Sequence, residues 1–147
     1  MKIDMSKAYD CVSWIFLLRI MRALGFNPNW CDLIYHLISN CWYSVVWDGS
    51  SFGHFKFNQG VRQGDPISPS LFILSMEMFS RLLHSRMADG SIVPYFVKPG
   101  ALPISHLLYV DDMLLFTNGN MESVESLMRV IHRFCSWSGL RLNASKS

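Results

Sequence analysis

Three aspartates sit at the ends of short apolar runs: Asp4 follows Lys2-Ile3, while Asp111 and Asp112 lie between Leu107-Leu108-Tyr109 and Met113-Leu114-Leu115. Adjacent carboxylates raise each other's pKa unless a cation neutralises them. Mg²⁺ suits that task, because it takes a few carboxylate oxygens and completes its shell with water and substrate phosphates. Taken alone, Asp111-Asp112 also reads as an ordinary solvated turn, since Asp tolerates turn geometry. Asp4 shifts the balance. If its strand lies beside the Asp111-Asp112 hairpin, three carboxylates converge, the arrangement that holds two metals about 3.5–4 Å apart for in-line phosphoryl transfer.

The 147 residues suffice for one compact domain, taken as residues 1–147. Half are hydrophobic, 14% aromatic and 16% charged, which argues against disorder and leaves few charges to cover the outside. Surfaces made to meet neighbours are expected. A net charge of +2 does not by itself announce a nucleic-acid binder. Cys11, Cys31, Cys41 and Cys135 lack zinc or disulfide spacing, so reduced thiols in an intracellular protein are expected. His36, His54, His84, His106 and His132 share no ligand spacing either. No stretch approaches the roughly 18 apolar residues of a membrane span, and the N-terminus has no signal core, so no membrane partner is expected.

Caps and periodicity outline the elements that must position the aspartates. Lys2 to Met5 alternates as a strand does. Ser13 caps a helix through Leu17, Leu18, Met21 and Leu24 that stops at Gly25, and Pro28 opens a second helix carrying Leu33, Ile34, Leu37 and Ile38. Residues 43–47 and 52–57 flank Asp48-Gly49 as a hairpin, and residues 58–66 form a polar loop. A long helix follows Pro69, residues 104–109 and 113–117 form strands around the acidic turn, and a helix over residues 122–137 ends at Ser138-Gly139 before a last strand at residues 140–142. Residues 90–103 carry no clear pattern. This order fits an α+β domain with an antiparallel sheet covered by helices on one face. Helical and strand spacing assigns most Trp and Phe side chains to the core, and Lys7, Lys56 and Lys98 to solvent.

Four blocks in order carry a family resemblance. KIDMSKAYD (residues 2–10) resembles polymerase motif A of reverse transcriptases, and QGVRQGDPISPSLF (59–72) is similar to their motif B in the form used by non-LTR, LINE-type retrotransposons. LYVDDMLLF (108–116) resembles motif C, and SGLRLNASKS (138–147) motif D. The resemblance implies a polymerase palm: a ferredoxin-like split βαβ with an antiparallel sheet of about four strands, the fingers and thumb lying outside this chain. It implies that Asp4, Asp111 and Asp112 hold two Mg²⁺ ions, with Mn²⁺ as a substitute and the Met5 carbonyl as a further ligand. Tyr9 would face the sugar of the incoming nucleotide and exclude a 2′-hydroxyl. Gln63 and Gly64 would approach nucleotide and template, and Lys146 would protonate or neutralise the leaving pyrophosphate. Arg62 and Asp65 could contact phosphate or brace the loop, while Lys7, Asp10, Pro66, Pro69 and Tyr109 support the motifs.

The partners so implied are an RNA template, a DNA primer, deoxynucleoside triphosphates and the fingers and thumb of a longer polyprotein. A LINE-type element implies the nucleus, and otherwise the cytoplasm. The function expected is RNA-directed DNA synthesis by a truncated retroelement palm with little activity of its own. The alternatives are an inactive remnant with at most weak nucleic-acid binding, and a palm like that of a group II intron maturase.

Overall fold

The computed structural model describes residues 1–98 and 100–143. In chain order its elements are β1 (Lys2–Ser6), α1 (Ala8–Cys11), α2 (Trp14–Ala23), α3 (Pro28–Ser39), β2 (Tyr43–Trp47), β3 (Ser50–Phe55), α4 (Ser68–Ala88), β4 (His106–Tyr109), β5 (Asp112–Leu115), α5 (Met121–Ser138) and β6 (Arg141–Leu142). Four strands form one antiparallel sheet in the order β4-β5-β1-β6, and β2 and β3 pair apart from it. With the insertions set aside, β1-α4-β4 and β5-α5-β6 are the two halves of a split βαβ, the expected palm.

Strand alternation decides which face is covered. Ile3 and Met5 of β1 and Met113 and Leu115 of β5 are each at most 3% exposed. They pack on Phe72, Met76, Phe79 and Leu83 of α4, on Leu127, Ile131 and Phe134 of α5, and on Phe16 and Ile20 of α2. A second core joins Leu17 and Met21 on the other stripe of α2 to Cys31 and Ile34 of α3 and to Val61. Lys2, Asp4 and Asp112 therefore point to the uncovered face.

The helix ends follow the sequence signals. Ser13 Oγ accepts from Phe16 N at 3.4 Å, and Asn120 Oδ1 accepts from Ser123 N at 2.9 Å. Pro28 begins α3, and Gly139 closes α5 in the left-handed region with its N–H on Cys135 O. Three features differ from expectation. The short α1 follows β1 directly, β4 starts at His106 because Ile104 pairs only with Tyr95 in an isolated bridge, and most large aromatics are outside the core. Of the ten Phe only Phe16, Phe72, Phe79 and Phe134 are buried, while Trp30, Trp42, Trp47 and Trp137 are exposed. Spacing locates a face but does not say whether anything covers it.

Candidate active site

Pairing of β1 with β5 sets Asp4 directly across from Asp112. Opposed residues of an antiparallel pair share a face with Cβ atoms about 4.5–5.5 Å apart, so two of the three aspartates meet on the open side of the sheet. Asp111 stands one residue away in the turn, where its carbonyl accepts from Met5 N at 2.9 Å. Val110, the first residue of that turn, has φ 52°. Turns of this kind normally place glycine there. A β-branched residue so held stores strain on the order of 1–3 kcal/mol, and the Tyr109–Asp112 pairing and the Met5–Asp111 bond keep it there.

The two facing carboxylates meet neighbours of different kinds. Lys2 Nζ lies 3.1 Å from Asp112 Oδ1, an ion pair that leaves this covered oxygen without an aligned hydrogen-bond donor. Asn143 Nδ2 donates to Asp4 Oδ2 at 2.7 Å, while Asn143 N donates to the Asp4 carbonyl at 2.9 Å. Among the described residues no three His, Cys, Asp or Glu side chains gather closely enough to enclose a metal ion. The donor set still fits Mg²⁺, which is usually held by one or two carboxylates together with water and substrate phosphates rather than by a protein cage. The Lys2 ammonium is exposed and can give way, since such surface pairs are worth only about 0–1 kcal/mol. The Met5 side chain is 2% exposed, so only its backbone could serve an ion.

Beside the aspartates a cleft of about 540 Å³ brings three distant segments together: Lys7 and Tyr9 after β1, Gln63, Gly64, Asp65, Pro66 and Pro69 before and within α4, and Val110 and Asp111 of the turn. Tyr9 is half-buried and stacks on Phe72, ring centroids 5.0 Å apart and planes within 11°. It is thus both a packing residue and part of the cleft wall. Lys7 adopts φ 47° at the bend between β1 and α1.

The corner of residues 9–13 fastens this wall. Val61 N donates to Tyr9 O and Gly60 N to Val12 O, each at 2.7 Å, Trp14 Nε1 donates to Gly60 O at 2.5 Å, and Ser13 N donates to Ser138 O at 2.8 Å. Gln63 Nε2 reaches Asp10 Oδ1 at 3.4 Å. Arg62 pairs with Asp65 at 2.9 Å, and Asp65 Oδ1 accepts from Ile67 N at 3.1 Å, so in this structure both residues brace the loop. Tyr109 is 81% exposed at the tip of β4. Lys146 lies outside the described residues.

Sequence reasoning overlooked Asn143, Lys2 and the bonds that fasten residues 9–13 to Gly60, Val61 and Ser138. No local pattern marks them, because each matters through a partner chosen by strand register or loop closure.

A family model described as reverse transcriptase (RNA-dependent DNA polymerase) matches residues 1–147. The chain is 31% identical over 144 residues to the retrovirus-related Pol polyprotein from type-1 retrotransposable element R2 of Popillia japonica, covering 98% of this chain and 23% of that protein. It is 32% identical to the Pol polyprotein from type-2 retrotransposable element R2DM of Drosophila melanogaster, again over 98% of this chain but 13% of the relative. Among solved structures, apo telomerase from Candida tropicalis superposes with a TM-score of 0.69 at 19% identity, covering 99% of this chain and 29% of that one.

Proposed function

Because the chain belongs to the reverse transcriptase (RNA-dependent DNA polymerase) family, we propose that it is the palm of a non-LTR retrotransposon polymerase, performing RNA-templated nucleotidyl transfer. The observation that carries this reading is the facing pair Asp4 and Asp112, with the neighbouring Asp111 lining a cleft built from three distant segments. Asp4, Asp111 and Asp112 would hold the divalent ions, which when bound supply a Lewis acid for the attacking hydroxyl and for the leaving pyrophosphate.

The rest is positioning by this chain's own side chains. Tyr9, backed by Phe72, presents a rigid ring at the cleft wall, where its bulk opposes a 2′-hydroxyl. Gly64 has nothing within 4 Å of where a Cβ would stand, so a base or sugar can approach its backbone closely. Gln63, tethered to Asp10, keeps an amide at the cleft rim. Arg62 and Asp65 hold the loop in shape rather than contacting substrate, and Lys146 serves the pyrophosphate. Template RNA and primer would lie across the open face of the sheet, gripped by parts of a longer protein.

The test is ion and nucleotide binding by the 147-residue chain. Mn²⁺ should bind more tightly when a deoxynucleoside triphosphate is present, and Asp4→Asn or Asp112→Asn should each weaken it about tenfold or more. Primer extension on an RNA template should be short or absent. Mn²⁺ binding unchanged in both variants would overturn the metal-site reading, and long products abolished by Asp111→Asn would overturn the dependence on further parts.

A further inference from the structure

Asn143 touches Asp4 twice, and only one of these bonds belongs to the sheet. Its backbone N–H continues the pairing of β6 with β1, whereas its side-chain amide donates to Oδ2 at 2.7 Å. The strand bond holds the Asp4 backbone and does not itself set χ2, a broad torsion for Asp. A second, short bond from the same residue fixes that rotation. The donor is an uncharged amide, so it orients the carboxylate without removing its negative charge or competing for it as a cation does. Lys2 treats Asp112 in the opposite way, supplying charge from an exposed ammonium. We propose that Asn143 is a positioning residue that aims the Asp4 carboxylate at the divalent-ion site, and that it keeps this bond when the ion binds. The inference rests on the metal-binding reading of Asp4. Partners that orient ligands from behind typically change metal affinity about 10–100-fold.

The probe is Mn²⁺, titrated into the 147-residue chain and followed by electron paramagnetic resonance of free and bound ion, with no polymerase activity needed. Asn143→Ala should weaken Mn²⁺ about tenfold. Asn143→Gln, whose longer amide can fold back towards Oδ2, should recover part of the loss. In the Asp4→Asn background, Asn143→Ala should have no further effect, because the residue acts through Asp4. A purely structural role would add its loss in both backgrounds and would show as a lowered melting temperature without rescue by glutamine. Wild-type affinity in Asn143→Ala, with Asp4→Asn still defective, would overturn the positioning role and leave the metal site standing. Unchanged affinity in Asp4→Asn would overturn the positioning role together with the metal-binding reading of Asp4 on which it rests.

Discussion

Gly60 holds φ 88° against the motif A segment, and an added Cβ would stand 2.7 Å from the backbone oxygen of Asp10. Neither atom can yield cheaply, because Gly60 is also bonded through its N–H to Val12 and through its carbonyl to Trp14. Gly64 has the same kind of backbone, φ 86°, but open space around it. The two glycines therefore separate conformational strain from collision. Gly64→Ala should cost about 1–2 kcal/mol, the penalty of a left-handed residue with a Cβ, while Gly60→Ala should cost clearly more and move the loop carrying Gln63 away from Asp10. Urea denaturation of the two variants checks this, and equal losses would show that the contact with Asp10 carries no weight. Asp4 and Asp112 also differ at residue level: the first accepts from the Asn143 amide at 2.7 Å, and the second pairs with the Lys2 ammonium at 3.1 Å.

Among elements, β4 is tied to α4 by one titratable side chain. His106 Nε2 lies 2.9 Å from Ser80 Oγ and Nδ1 lies 2.7 Å from Ser105 Oγ, with the ring against Phe79 and 5.7 Å from the ring of His84. Burial, then the neighbouring His84, hold its pKa below the ordinary histidine value, while Glu77 pulls the other way. The fold thus keeps His106 neutral where an unfolded chain would take up a proton near pH 6.5. Stability is full above that pH and falls as pH drops through it towards the lower folded value. Melting temperatures on either side of about pH 6.5 should fall with acid in the wild type and fall less in His106→Gln; equal slopes would refute the linkage. Such ties explain what the chain of residues did and did not reveal. Ser13, Pro28 and Gly139 announce helix ends because capping is local, and the alternation around Asp111-Asp112 announces a hairpin for the same reason. The pairing of Asp4 with Asp112 could only be suspected, since register is set by which faces must be buried. The Asn143 bond could not be read at all, because a two-residue strand leaves no periodicity.

At the scale of the molecule, the unresolved question in the composition was where so much apolar surface would go. The four-stranded sheet and three helices bury a real core, but β2 and β3 stand outside it with Val45, Val46, Trp47 and Phe52 each more than half exposed. A lone two-stranded hairpin is marginal in water. This one is held by its own contacts: Tyr43 and Phe57 rings at 4.7 Å, Phe55 and Phe57 at 5.6 Å, and Lys56 over Trp42 at 4.6 Å. Val46 and Trp47 take no part in these ring contacts and are 69% and 75% exposed. An apolar projection of this kind favours association. The double variant Val46→Thr, Trp47→Ser should therefore reduce self-association of the 147-residue chain in sedimentation velocity, while the melting temperature changes little, because surface substitutions stay within about 0.5 kcal/mol. The two readouts separate two kinds of hairpin. Lower association with an unchanged melt means that this exposed apolar surface drives contact with another protein surface and adds little to the stability of the fold. A large drop in melting temperature would instead make the hairpin part of the folding unit, and unchanged association would move the sticky surface elsewhere, to the exposed flank of Ile15 and Trp137.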